Sequence, residues 1–85
     1  MNKTFTINAS TESAPFIEIT LKAPSYMRMH GCVAILERGF RSIQVTCDQT
    51  GEVYLTLYKS AEMFKPALSP ANTLVELEEF LAIYD

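Results

Sequence analysis

The chain has 85 residues, which is room for one domain built around one core. Hydrophobic residues make up 48% and charged residues 20% of the chain, a composition that excludes intrinsic disorder. The net charge of −3 argues against a broad contact with nucleic acid, because such a contact normally needs a basic surface. We therefore predict a single domain that spans residues 1–85.

Two features of the sequence predict a soluble, cytoplasmic protein. The first is that no stretch approaches the ~20 apolar residues that cross a bilayer, and the amino terminus lacks the apolar run of a secretion signal. The second is the use of cysteine. Cys32 and Cys47 lie among apolar neighbours and do not form the dense pattern of a disulfide framework, so we expect reduced thiols.

The first part of the chain carries two runs in which apolar and polar residues alternate, at 3–9 and at 17–22. A turn-rich segment separates the runs, and Pro24 ends the second one. Alternation with a period of two predicts strands that are half-buried against a core. The residues expected to face that core are Phe5, Ile7, Ile17, Ile19 and Leu21.

The segment 25–39 supports two interpretations. As a helix, it would be capped by Ser25 and closed by Gly39. The residues that would share its buried face are Tyr26, Met29, Val33 and Leu36. Gly31 in the middle counts against a helix, and the alternative is a strand over Cys32–Leu36. We favour the helix.

The next segment predicts a β-hairpin. Phe40–Cys47 and Glu52–Lys59 both alternate, and Asp48-Gln49-Thr50-Gly51 between them suits a type I turn followed by a glycine in the left-handed region. The register that follows pairs Cys47 with Val53, Val45 with Leu55, and Ile43 with Leu57, all on the core face. The opposite face would carry Ser42, Gln44, Thr46, Tyr54, Thr56 and Tyr58.

The end of the chain predicts an amphipathic helix that covers one face of the sheet, after an irregular segment at 60–69. Thr73 and Glu76 have the spacing of a capping box at its start. Its apolar stripe consists of Leu74, Leu77, Leu81 and Tyr84, with Phe80 beside it. The predicted fold is therefore α+β, with a small antiparallel sheet of about four strands, two helices and the order ββαββα.

No group of residues predicts catalysis or metal binding. His30 and Cys32 could form a nucleophilic pair on a strand, but on a helix a spacing of two points them apart, and no third residue would orient them. The chain has three Cys and His residues in total, fewer than the four ligands of a structural zinc site. We expect no catalytic residues, no metal site, no cofactor and no enzymatic activity.

The outer face of the hairpin is the leading candidate for a binding surface. Tyrosine combines apolar area with a hydroxyl group and is enriched in interface hot spots. The candidate partner-binding residues are Tyr54, Tyr58, Thr56, Gln44 and Thr46. They favour a non-enzymatic protein-binding domain, a small regulator or inhibitor that docks on and blocks a larger host protein. Small proteins of this kind are common products of phages and mobile elements.

Two other kinds of partner follow from the sequence. Arg38 and Arg41 flank Phe40, and arginines beside an aromatic ring can hold single-stranded nucleic acid, so weak binding of this type is the alternative function. The net acidic charge makes nucleic acid the less favoured partner. An exposed strand edge could also pair with a second copy of the chain to form a homodimer.

Overall fold

The computed structural model describes residues 3–83, which fold into one four-stranded antiparallel sheet and two helices. The elements are β1 (Phe5–Ser10), β2 (Glu18–Ala23), α1 (Tyr26–Leu36), β3 (Ser42–Cys47), β4 (Val53–Tyr58) and α2 (Pro70–Ile83). The strand order across the sheet is β2-β1-β3-β4, with every neighbouring pair antiparallel. The structure confirms the predicted α+β fold and its element order.

The core lies between the two central strands and α1. Along β1 and β3, every second residue is apolar and buried, as a strand with one covered face requires. The cross-strand pairs on this face are Phe5 with Cys47, Ile7 with Val45, and Ala9 with Ile43. Ile19 and Leu21 on β2, and Leu55 and Leu57 on β4, are partly buried at the margins of the core. The sheet therefore has one covered face.

The segment that allowed two interpretations is a helix. Ser25 caps α1, because its hydroxyl accepts a hydrogen bond from the Arg28 N–H at 3.2 Å. The buried face of α1 consists of Met29, Cys32, Val33 and Leu36. The alternative strand is therefore wrong. Tyr26 was also expected on this face, but it lies at the first turn, where the core ends, and it is 52% exposed.

Two glycines let the chain around α1 approach α2 closely. A Cβ atom added to Gly31 would lie 2.3 Å from Cζ of Phe80, so this mid-helix glycine makes room for the Phe80 ring. A Cβ atom added to Gly39, just beyond α1, would lie 2.2 Å from Oγ1 of Thr73. These contacts explain why α1 contains a glycine despite its cost in helix propensity.

The terminal helix begins earlier than predicted. Its first residue is Pro70, and the Ser69 hydroxyl before it accepts a hydrogen bond from the Asn72 N–H at 3.1 Å. Proline is favoured at the first helical position, since its missing N–H would have no helical partner there. Thr73 lies one turn inside the helix, buried, with its hydroxyl donating to the Ser69 carbonyl. The predicted capping box is wrong, and Glu76 forms an ion pair with Arg38 instead.

The apolar stripe of α2 packs chiefly against α1 and the core residues near it, whereas the prediction placed this helix across a face of the sheet. Leu77 is buried, and Leu74, Phe80 and Leu81 pack against the core while remaining partly exposed. The helix contacts α1 along its length and so extends the helical layer beside it. Tyr84, the last predicted member of the stripe, lies outside the described residues.

The β3–β4 hairpin turns at the predicted residues, with glycine in the left-handed region, and has most of the predicted register. The Gly51 N–H donates to the Cys47 carbonyl at 2.8 Å, and Gly51 adopts a left-handed φ of 76°. Val45 lies opposite Leu55 and Ile43 lies opposite Leu57, which confirms two of the three predicted pairs. The third pair is wrong, because Val53 lies opposite Thr46 and not opposite Cys47. A β-bulge between Val45 and Thr46 inserts one extra residue into β4.

We expect Gly39→Ala to lower the free energy of unfolding by about 1–3 kcal/mol, the cost typical of overpacking a buried site. The new methyl group would meet Thr73, which is fully buried and held by its bond to Ser69. Urea unfolding followed by circular dichroism measures the change. Glu37→Ala, an exposed change in the same turn, is the control. Equal stability of Gly39→Ala and this control would contradict the close contact.

Candidate protein-interaction surfaces

The bulge places Tyr54 on the side of the sheet opposite to the one predicted. The Tyr54 ring centroid lies 5.6 Å from that of Phe5, a core residue that is only 1% exposed. Since one extra residue reverses the alternation of a strand, Val53 turns outwards and is 55% exposed. The prediction that Tyr54 and Tyr58 share the outer face is therefore wrong.

Four aromatic side chains meet where β4 passes the start of α1, and we call them the aromatic patch: Phe5, Tyr26, His30 and Tyr54. The Tyr26 and Tyr54 rings are 5.7 Å apart and nearly perpendicular, the edge-to-face arrangement that aromatic pairs favour. His30, one helical turn after Tyr26, lies 4.5 Å from the Tyr26 ring. The rings thus hold one another in place.

A hydrogen bond joins the two tyrosines of the aromatic patch. The Tyr54 hydroxyl donates to the Tyr26 hydroxyl at 2.7 Å. This bond to Tyr26 is the main reason why the pKa of Tyr54 is raised above its ordinary value, since ionisation would remove the donated proton. Tyr54 therefore keeps its proton at neutral pH, and the two joined hydroxyls form a polar tip above an apolar base.

The aromatic patch is accessible at the surface. Tyr26 is 52% exposed and Tyr54 is 45% exposed, although both rings have aromatic neighbours. A recess of about 270 Å³ lies beside them, with Phe5 and Val53 in its wall and Lys3 and Glu52 at its margin. The helical spacing of Tyr26 and His30 was readable in the sequence. No turn residue signalled the bulge that brings Tyr54 to them.

The remaining predicted binding residues lie on the uncovered outer face of the sheet. Thr46, Gln44, Thr56 and Tyr58 alternate with core residues on β3 and β4, as predicted. Tyr58 is 61% exposed, and Arg41 lies over its ring at 5.7 Å while donating a hydrogen bond to its hydroxyl. The five predicted residues therefore divide between two surfaces, with Tyr54 on one and the other four on the other.

A small polar cluster closes one end of the outer face. The carboxylate of Asp48, in the hairpin turn, accepts hydrogen bonds from the hydroxyls of Thr6 at 2.6 Å and Thr4 at 2.7 Å. Lys22 on β2 lies 3.7 Å from the same carboxylate. The bond from Thr6, then that from Thr4, and to a smaller extent Lys22 hold the pKa of Asp48 below its usual range. The β3–β4 turn is thereby fastened to β1 and β2.

The three residues of the nucleic-acid alternative do not form a common stacking surface. Phe40 is 2% exposed and belongs to the core, so its ring cannot lie against a base. Arg38 is paired with Glu76, and Arg41 is engaged with Tyr58 and the Lys59 carbonyl. Of these residues, the two arginines alone have side chains at the surface.

His30 and Cys32 lie on different sides of α1. Cys32 is fully buried and burial raises its thiol pKa, the reverse of what a nucleophile needs, whereas His30 is exposed beside the tyrosines. Both cysteines are free thiols. Within residues 3–83 no three Cys, His, Asp or Glu side chains are grouped as metal ligands. The helices of this part of the chain include none with the length and apolar character to span a bilayer.

We expect Asp48→Asn to destabilise the protein at neutral pH and to matter less in acid. A carboxylate whose folded pKa is depressed stabilises the fold above its unfolded pKa, and this contribution is lost as the pH falls through the folded value. The melting temperatures of wild type and variant should therefore differ at pH 7 and converge below pH 4. Glu52→Gln, at an exposed carboxylate of the same hairpin, is the control. A difference that persists unchanged in acid would contradict the role of the Asp48 charge.

Comparisons with known proteins leave the chain without a relative from which function could be transferred. No protein-family model, no curated protein and no solved structure matches it. The aromatic patch and the outer face of the sheet are therefore the basis for assigning a function.

Proposed function

We propose that this domain is a non-enzymatic protein-binding module that docks on a larger protein through the aromatic patch. The observation that supports this most is the exposure of Tyr26 and Tyr54, about half of each residue, in a rigid arrangement over a buried Phe5. Tyrosine and tryptophan dominate the energetics of protein interfaces when they form such anchors.

Preorganisation makes the aromatic patch suited to binding. Fixing a free side chain in an interface costs about 0.5–1.5 kcal/mol of entropy. Tyr26 and Tyr54 are already restrained by their mutual hydrogen bond and by edge-to-face contacts, so less of this cost remains at the moment of association. The position of His30 against both rings restrains them further.

The recess beside the patch suggests what the partner presents. Its wall is apolar where Phe5 and Val53 contribute, and its margin carries one positive and one negative residue, Lys3 and Glu52. An apolar side chain that protrudes from a folded partner, with polar groups around it, would match this pattern of apolar centre and polar rim. A domain of this size that covers a surface of a larger protein would act as a regulator or inhibitor.

Tyr54 and Tyr58 lie on different surfaces, so an alanine variant of each residue tests the contribution of one surface to binding. We expect Tyr54→Ala, and likewise Tyr26→Ala, to weaken partner binding at least tenfold, since truncating an interface anchor typically costs about 2 kcal/mol or more. Affinity capture from lysate of the source cells identifies the partner, and titration of that purified partner measures the dissociation constant.

Tyr58→Ala is the matched control, because it removes the same side chain from the same strand on the outer face. It should bind as wild type does. Circular dichroism checks that all three variants are folded. Equal binding by folded Tyr54→Ala, Tyr26→Ala and wild-type proteins would refute the aromatic patch as the docking site. Loss of binding in Tyr58→Ala alone would assign docking to the outer face.

A further inference from the structure

The two edges of the sheet differ in their protection against pairing with another strand. At one edge, β2 carries Glu18 and Lys22, and charged side chains discourage strands from adding. At the other edge, the six residues of β4 include no charge, no proline and no glycine. An uncharged edge strand of this length is a template for edge-to-edge pairing.

The backbone of β4 offers hydrogen-bonding groups to the outside. The Lys59 N–H donates to the Arg41 carbonyl at 3.0 Å, so the next pair, Tyr58 with Ser42, is a pair without mutual hydrogen bonds. By the same alternation, Thr56 and Gln44 are also a pair without mutual hydrogen bonds. The N–H and C=O groups of Thr56 and Tyr58 therefore point away from β3, and among residues 3–83 none from another element bonds to them.

The side chains next to this edge are incompletely covered. Leu55 and Leu57 belong to the margin of the core and remain partly exposed, because α1 packs chiefly against β1 and β2. A strand added beside β4 would place its own side chains next to these leucines and bury more of their apolar surface. A partner strand would therefore bond to the outward backbone groups of β4 and would also bury additional apolar surface.

The sequence of β4 identifies a second copy of the chain as that partner. Beyond the bulge, Leu55-Thr56-Leu57 is symmetric about Thr56. When two copies pair antiparallel about a two-fold axis at Thr56, a leucine of each copy lies opposite a leucine of the other, so apolar surface meets apolar surface. Glu52 and Lys59 flank this segment with opposite charges, so the same axis brings the positive end of one strand to the negative end of the other.

We propose that two copies of this protein pair through β4, antiparallel and centred on Thr56, to form one continuous eight-stranded sheet. Thr56 lies opposite Thr56 of the partner subunit and exchanges two backbone hydrogen bonds with it. Leu55 lies opposite the partner subunit's Leu57 on the helix side of the sheet. This dimer goes beyond the docking function proposed above and is centred on Thr56, which lies outside the aromatic patch.

Two substitutions at Thr56 test the pairing. Thr56→Pro removes the outward N–H without removing a hydrogen bond to β3, and an edge strand tolerates proline at such a position. Thr56→Lys keeps the backbone and places two like charges opposite each other at the axis. We expect Thr56→Pro to raise the dimer dissociation constant about tenfold or more, and Thr56→Lys to raise it severalfold. Gln44→Lys, across the strand pair on the same face but away from the edge, is the control.

Sedimentation velocity over a range of concentrations measures the mass, with 9.6 kDa for a single chain and twice that for the dimer. Hydrogen exchange by NMR gives a second measurement, in which the Thr56 amide should exchange more slowly as the protein concentration rises. A wild-type protein that stays at the single-chain mass at millimolar concentration would overturn the proposal. So would a dimer whose Thr56 amide remains unprotected, or equal effects of Thr56→Lys and Gln44→Lys.

These results can be told apart from those of the docking experiment. Tyr26 lies on α1 and takes no part in the β4 ladder, so Tyr26→Ala tests docking without altering the edge. Thr56 is outside the aromatic patch, so its variants test the edge without altering docking. Each proposal can therefore fail while the other stands.

Discussion

The helices cover only one face of the sheet, and most features of this molecule follow from that constraint. A sheet with one wet face needs apolar and polar side chains in strict alternation, because a shift by one residue would place every apolar group in water. The central strands follow this rule up to the buried Ser10 at the end of β1, with Ile7, Val45 and Ile43 fully or almost fully buried. The opposite face of these strands is correspondingly polar, so it needs no second layer to cover it.

The exception to the alternation lies at the beginning of β4, and the candidate docking surface is built on it. One extra residue carries Tyr54 to the covered side at a place where the helical layer has already ended. The ring can therefore rest on Phe5 and still reach solvent. Had the strand continued regularly, Val53 would have faced the core and Tyr54 would have joined the polar face. Tyr26 would then have lacked the hydroxyl group that it bonds.

Much of the fold was predictable from local patterns. The alternation in β1 and β3, the Ser25 cap and the Asp-Gln-Thr-Gly turn each have a direct physical cause within a few residues, and the structure confirms all of them. The predicted capping box failed because a second local signal competed with the first. Thr73 and Glu76 have capping-box spacing, but Ser69-Pro70 starts the helix one turn earlier.

The candidate site was harder to predict than the fold, because it depends on contacts between distant residues. Tyr26 and Tyr54 are 28 positions apart and meet through tertiary packing and a bulge, which the sequence does not mark with a glycine. The same limit applies to Phe40. Its neighbours Arg38 and Arg41 suggested an exposed stacking ring, but the ring fills the core between α1 and the sheet. Local spacing describes which residues are adjacent in the chain and not which of them the fold leaves accessible.

The change of phase within β4 also has a consequence for how the protein can vary. In a regular edge strand, alternate side chains face the same surface. A substitution that suits one surface therefore constrains which residues can stand beside it on that side. Here Tyr54, near the beginning of the strand, serves the helical side, and Tyr58, at its end, serves the open side, while Leu55 and Leu57 between them face the core. Substitutions at one end of the strand can therefore suit the helical side without altering the open side, and substitutions at the other end can do the reverse.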